Sequence, residues 1–230
     1  MNNGYIAILD SGIGGFSFLI QAARRLNGER FLYFGDNSNA PYGNKSVKEL
    51  YTLTQKNLDE ILKHDVKAVV CACNTLSTSV LPRIVKRCDV PVFGVYPPVN
   101  ACQGNAVLFA TPITCARYVN IKGLSLCPLK NLAGEIERNK FNLKDIDISA
   151  YFQNCPVTCK ETIILGCTHY FFVKKQFINH FCPQKVLIGE EYTAERLDKS
   201  LRRFDMLAKN QKLTVDFIGN CAEENYKFYS

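Results

Sequence analysis

Val69-Val70-Cys71-Ala72-Cys73-Asn74-Thr75 and, much later in the chain, Ile163-Ile164-Leu165-Gly166-Cys167-Thr168-His169 are variants of one phrase. In each, an apolar run ends in a small residue, then cysteine, then two polar side chains. Strands buried on both faces of a parallel sheet read as such continuous apolar runs. The loop after the carboxyl end of such a strand is where open α/β sheets place ligand-binding groups.

Working outward, further short apolar runs occur at 6–9 (IAIL), 31–34 (FLYF), 91–95 (PVFGV), 106–110 (AVLFA), 123–126 (GLSL) and 185–188 (KVLI), with helical stretches between them. Alternation of this kind predicts parallel sheets wrapped by helices. With the two quoted segments, the runs fall into two sets of four, the signature of an internal repeat. The opening strands also correspond, since IAIL runs into Asp10 and Ser11 while AVLFA runs into Thr111. The expected fold is α/β, with two similar lobes, each a mainly parallel four-stranded sheet flanked by helices, and the active site in the cleft between them. The first lobe is expected over 1–97 plus about 207–230, the second over 98–206. A final strand-like run, LTVDFI (213–218), follows a charged helical segment (194–209) and is expected to return to the first lobe. One helix is especially legible: Ser46 and Glu49 have capping-box spacing, and Val47, Leu50, Tyr51, Thr54, Leu58, Ile61 and Leu62 share a face.

The bulk properties narrow the function classes. The chain has 230 residues, 47% of them hydrophobic, enough for a packed core. No apolar run reaches the roughly 20 residues of a membrane span, and the start lacks the blocks of a signal peptide, so no membrane is expected and the cytoplasm is the default. Eleven cysteines in or beside apolar runs read as reduced thiols, mostly small buried hydrophobes. The net charge of +7 is scattered and the chain has no tryptophan, so no nucleic acid is expected as a partner. Cys155 and Cys159 lack the companions of a zinc site, so no metal is expected.

Taken singly, Cys73 and Cys167 read as core thiols; their matched contexts make them a facing pair. A redox dithiol would favour C-x-x-C spacing, which does not occur. Two separate acid/base groups remain. Inverting a stereocentre by proton transfer needs a base on one face of a carbon and an acid on the other, exchanging roles in reverse. Thiols of ordinary pKa about 8.5 can share those roles once the local field is tuned. Asp10 in DSGIGG is placed to orient Cys73, or to cap the helix expected at 16–26. His169 is placed to polarise Cys167 or bind a carboxylate. Gly12, Gly14 and Gly15 let backbone approach a ligand and leave amides free at a helix start, which suits a carboxylate. Ser11, Asn74, Thr75 and Thr168 add short donors, and the loop 35–46 carries Pro41, Tyr42 and Gly43.

These segments, with TPIT (111–114) and CPLKNLAGE (127–135), resemble the glutamate racemase family in order along nearly the whole chain. The resemblance implies L- and D-glutamate interconversion by two cysteine bases, with no cofactor, Cys73 acting on the D and Cys167 on the L enantiomer. It implies that Asp10, His169 and Glu135 assist the thiols. It places Asp10, Ser11, Pro41, Tyr42, Gly43, Asn74, Thr75, Thr114, Thr168 and His169 at substrate-binding positions. The implied setting is peptidoglycan synthesis in a bacterial cytoplasm, and a homodimer is an assembly the family often adopts. Leu76, Ala110 and Phe171 depart from the family's alanine, glycine and proline. A racemase for aspartate or a broader set of amino acids, or a two-lobed sensor that binds without turnover, are the alternative readings.

Overall fold

Every strand pairing among the described residues is parallel. The computed structural model describes residues 3–102, 104–153, 155, 162–209 and 211–219. The first part of the chain forms β1 (Tyr5–Asp10), α1 (Phe16–Arg25), β2 (Arg30–Gly35), α2 (Val47–Ile61), β3 (Val66–Cys71), α3 (Asn74–Ser79), α4 (Leu81–Ile84) and β4 (Val92–Gly94). There follow β5 (Ala106–Ala110), α5 (Pro112–Cys115), β6 (Leu124–Pro128), α6 (Leu132–Arg138), β7 (Thr162–Gly166), α7 (Lys174–Phe181), β8 (Lys185–Ile188), α8 (Gly189–Arg203) and β9 (Thr214–Ile218).

The two sheets run β4-β3-β1-β2-β9 and β6-β5-β7-β8. Numbered within its own half and read from the β2 or β6 side, each follows the order second, first, third, fourth. The internal repeat is therefore one of topology as well as of local sequence. In both sheets the chain reverses its winding direction between the first and third strands, and crevices for ligands form at the carboxyl ends there. The first sheet has five strands rather than four because β9 adds to β2, with Arg30 opposite Thr214.

Alternation along β1 sets the layers. Ile6 and Ile8 face a cluster with Phe16, Phe18 and Tyr33, which continues without a break into Val107, Phe109, Ile163 and Leu165 of the second sheet. Ala7 and Leu9 face the opposite way, onto Leu50, Leu58 and Ile61 of α2. One apolar layer thus joins the lobes, and each fully buried large side chain in it contributes roughly 1.5–3 kcal/mol. Ser46 and Glu49 form the expected reciprocal cap of α2. The helix stops at Ile61, so Leu62, expected on the buried face, is turned outward.

The charged helix near the end, expected at 194–209, is α8 and starts earlier, at Gly189. Beyond it, Lys67 Nζ donates to the Met206 carbonyl at 2.8 Å and pairs with Glu29 at 2.5 Å, while Glu29 accepts from the Ala208 amide at 2.8 Å. This buried ion pair pins the returning segment to the first lobe. The expectation of uniformly reduced thiols is corrected at one place: Cys127, at the end of β6, is bonded to Cys155, their Cα atoms 5.2 Å apart. Cys159 lies outside the described residues. Among the described residues, no helix is long and apolar enough to cross a membrane.

Candidate active site

Cys73 and Cys167 occupy equivalent places. Each follows the third strand of its lobe and opens the next helical segment, α3 for Cys73 and the 3-10 turn Thr168–Val173 for Cys167. Both are buried, 5% and 6% exposed. Burial pushes the Cys73 thiol well above the ordinary range, and negative charge on Asp10, Cys71 and Cys167 adds to the effect. The two thiols and Asp10 therefore share one electrostatic field.

Asp10 ends β1, beside the point where winding reverses. Its Oδ1 accepts from the Gly12 amide at 3.0 Å, and its Oδ2 from the Thr168 hydroxyl, across the lobe boundary, at 3.4 Å. Complete burial raises its pKa to about 6, against the pull of the His169 charge and the Gly12 N–H. It does not cap α1, whose N-cap is Gly15 without a side-chain bond.

His169 lies with Nδ1 4.0 Å from Cys167 Sγ and Nε2 2.6 Å from Glu137 Oε2. Burial works against the imidazolium, but the Cys167 sulfur and the Glu137 carboxylate outweigh it and hold the His169 pKa well above the usual value. For Glu137, burial pushes upward, and the hydrogen bond and charge of His169 with the Ile13 amide bring the carboxyl below its usual range. Glu137 also accepts from the Ile13 amide at 3.0 Å and from Asn37 Nδ2 at 2.8 Å. The amides of the glycine loop, expected to be free for a ligand, are thus partly taken by the protein's own acids, Gly12 by Asp10 and Ile13 by Glu137. The glycines serve close approach instead. A Cβ on Gly14 would overlap Thr168 Oγ1 and sit 2.7 Å from His169 Nδ1.

Glu135, expected as the assisting carboxylate, is elsewhere: it accepts the Tyr151 hydroxyl. Residues two apart on a helix point about 200° apart, so α6 can offer only one of Glu135 and Glu137 to His169. The helix begins at Asn131, left-handed at φ 71°, a start that sequence reading did not anticipate. The available signal was the pair Ala133 and Glu137, four residues apart on one face.

A second link between the lobes runs through hydroxyls. Thr75 Oγ1 and Thr111 Oγ1 are 2.9 Å apart, and Thr111 Oγ1 lies 3.1 Å from Thr114 Oγ1. Thr111, the residue at the centre of this link, was not among the expected site residues, although the strand comparison had paired it with the Asp10 and Ser11 segment. Gly43 packs on it, since a Cβ there would come within 2.8 Å of Thr111 Cγ2. Pro41 lies against Gly134 of α6. Ser11 is buried in the same loop as Gly12. Asn74 Nδ2 donates to the Val95 carbonyl at 3.1 Å, while its buried Oδ1 has no partner among the described residues and remains an available acceptor. Tyr42 is buried, and its hydroxyl donates to Asp36 and accepts from Asn57 Nδ2 at 3.0 Å inside the first lobe. Leu76 is fully buried in the same cluster as Cys73, and Phe171 is half-buried. Among the described residues, no group of three or more histidine, cysteine or acidic side chains is arranged to hold a metal ion.

Two thiols at matched strand ends, one beside a hydrogen-bonded imidazole and the other beside a buried carboxyl, form an arrangement able to move protons at two positions. No protein-family model matches the chain. Curated relatives named glutamate racemase include one from Clostridium kluyveri, 33% identical over 243 residues and covering 96% of this chain and 93% of that protein. Another, from Clostridium acetobutylicum, is 31% identical over 235 residues, with 90% and 88% covered. The crystal structure of glutamate racemase from Thermus thermophilus in complex with beta-chloro-D-alanine is similar with a TM-score of 0.81 at 28% identity, over 99% of this chain and 93% of that one.

Proposed function

This chain belongs to the glutamate racemase family, a group of amino-acid racemases, and from that premise we propose that it interconverts L- and D-glutamate by proton transfer between Cys73 and Cys167, with no cofactor. The amino acid lies between the two thiols. Cys167 removes the α-proton of L-glutamate as Cys73 delivers one to the opposite face; the D enantiomer reverses both roles.

The observation that carries this reading is the junction of Asp10, Thr168, His169 and Cys167, with Cys73 in the same field. Proton removal from Cα needs a thiolate on one side and a thiol on the other. The His169 cation, 4.0 Å from Cys167 Sγ, supplies positive charge where a thiolate must form. Cys73, its pKa raised, rests as the proton donor, and Asp10 takes up that proton when the direction reverses. Glu137 holds His169 in place and charged. Ser11, Asn74, Thr75, Thr114 and Thr168 serve the carboxylates and ammonium of the substrate, and a donor aimed at the α-carboxylate stabilises the charge that develops as the proton leaves. The Pro41 to Gly43 turn forms a wall. We place the enzyme in the bacterial cytoplasm, as a homodimer, supplying D-glutamate for peptidoglycan.

The test is a single enantiomer of glutamate in heavy water with purified protein and nothing added. Deuterium should appear at Cα as optical activity decays. Calorimetric binding of glutamate with no exchange would assign the protein to the sensors instead.

A further inference from the structure

The loop after β2 lies along one face of α6, from the start of the helix to its last turn. Asn44 Nδ2 donates to Asn131 Oδ1 at 2.9 Å, a Cβ on Gly134 would come within 3.1 Å of Pro41 Cγ, and Asn37 Nδ2 donates to Glu137 Oε1 at 2.8 Å. Residues 131, 134 and 137 are three apart, the spacing of neighbours on a helix surface. The root of the loop is fixed. Asp36, 5% exposed, accepts from Asn39 Nδ2 at 2.8 Å, from Asn57 Nδ2 at 3.1 Å and from the Tyr42 hydroxyl. Asn37 thus follows an anchored residue, and Gly35 gives its amide room, since a Cβ on Gly35 would sit 2.7 Å from Asn37 Oδ1. A side-chain amide donates to a carboxylate only through its NH2, which leaves the Asn37 carbonyl turned toward Gly35.

The two oxygens of Glu137 divide their partners. Both accept from the Ile13 amide, at 3.3 and 3.0 Å, but Oε1 takes Asn37 and Oε2 takes His169 Nε2 at 2.6 Å. We propose that Asn37 is a positioning residue of the site: from the first lobe it pins Oε1, so that Oε2 stays aimed at His169 of the second lobe and the imidazole stays beside Cys167 Sγ. The inference rests on the reading of Cys167 and His169 as racemase machinery and names a residue, outside the expected set, on which that machinery depends. A site group keeps its productive geometry only when the side chains behind it have their own rotamers locked. The charges that bear on Glu137 are the His169 imidazolium, the Lys140 ammonium and the Asp10 carboxylate, with Arg138 lining the same cavity. His169 is in turn faced by Glu137, Cys167 and Asp10. A neutral substitution of Asn37 leaves all of these in place, so a change at His169 reports the orientation of Glu137.

The experiment compares wild type with Asn37→Leu and Asn37→Ala, which remove the donor with and without keeping the bulk, and with Asn44→Ala, which removes the contact of the same loop with Asn131. His169 is titrated by NMR in the absence of substrate, and racemisation of glutamate is followed at neutral pH. In both Asn37 variants the His169 pKa should fall toward its ordinary value of about 6.5, because the carboxylate that favours the imidazolium is no longer held against it. The loss in kcat should be on the order of 10-fold, the worth of one hydrogen bond to a charged group, with KM within about twofold. Asn44→Ala should leave both readouts near wild type. In a Glu137→Ala background, Asn37→Leu should cost nothing further, since residues acting through one chain of contacts are not additive. An unmoved or raised His169 pKa in the Asn37 variants, or an equal loss of activity in Asn44→Ala, would overturn the assignment. A fall of the His169 pKa confined to the Asn37 variants, in a protein that exchanges no deuterium into glutamate, would uphold the positioning and remove the racemase reading alone.

Discussion

The Thr168 hydroxyl donates to Asp10 Oδ2 at 3.4 Å, so the acid beside one thiol is held by the neighbour of the other. The two half-sites are coupled through this contact. A donor on a carboxylate favours its charged form. Thr168→Val should therefore raise the Asp10 pKa further above about 6, moving the acid limb of the pH profile upward, and lower kcat/KM on the order of tenfold, the equivalent of one hydrogen bond. Steady-state rates from pH 5 to 9 measure both; an unmoved acid limb would show that the contact has no part in turnover.

Glu137 and Glu135 make opposite predictions. Glu137→Gln removes the negative charge that keeps His169 protonated, so the imidazole pKa should drop and activity should fall at least tenfold at neutral pH. Glu135→Gln, whose carboxylate accepts the Tyr151 hydroxyl away from His169, should leave the rate within about twofold. Titration of His169 by NMR, alongside the rates, separates an electrostatic cause from a collapsed site. Equal losses in the two variants would contradict the geometry.

Glu190 opens α8 fully buried, with Oε1 accepting from Ser17 Oγ at 2.8 Å and Oε2 without a partner among the described residues. Burial, with a smaller contribution from the Asp10 charge, raises its pKa to about 7 from 4.5. An acid whose folded pKa is raised contributes stability that is intact below its unfolded value and is lost as pH climbs through the folded one. Between pH 4.5 and about 7 the wild type should thus lose up to roughly 3 kcal/mol through this group. Glu190→Gln should remove that part of the pH dependence, gaining on wild type at pH 8 relative to pH 4 in denaturant melts.

Lys67→Met should destabilise by about 3–5 kcal/mol, because Glu29 is left charged and buried without its partner. Adding Glu29→Gln should recover part of the loss. Urea unfolding of wild type, single and double variants supplies the cycle, and an additive double variant would mean that the pair does not act as a unit.

How much of this was legible in the sequence depends on what each feature needs. Strand positions and the repeat are local, and AVLFA and KVLI match β5 and β8 residue for residue. The cap of α2 is likewise written in Ser46 and Glu49. Equivalent placement of Cys73 and Cys167 follows from their strand contexts. Partner choice among side chains from distant segments is not local. Tyr42 turns inward because Asp36 and the buried Asn57 meet it there, and nothing in the loop 35–46 says so. Glu137, not Glu135, meets His169, a choice between two acids on one short helix that depends on how α6 packs and not on its own residues. Asp10 was read both as a cap and as a site group; the packed glycine loop removes the first, since α1 starts after Gly15 with no side-chain cap, and brings Thr168 to the carboxylate.

The chain crosses between the two sheets after β4 and again after β8, and the crossings lie side by side, since Gly189 at the start of α8 sits against the Tyr96 carbonyl. From there α8 runs along the first sheet, with Ser17 of α1 donating to Glu190 and Arg196 donating to the Gly94 carbonyl at 3.0 Å. Both covalent threads thus pass through one eyelet. Elsewhere the halves meet through side-chain contacts such as Thr168 on Asp10 and Thr75 against Thr111, so a substitution at either contact loosens a junction that, among the described residues, no second stretch of backbone holds nearby.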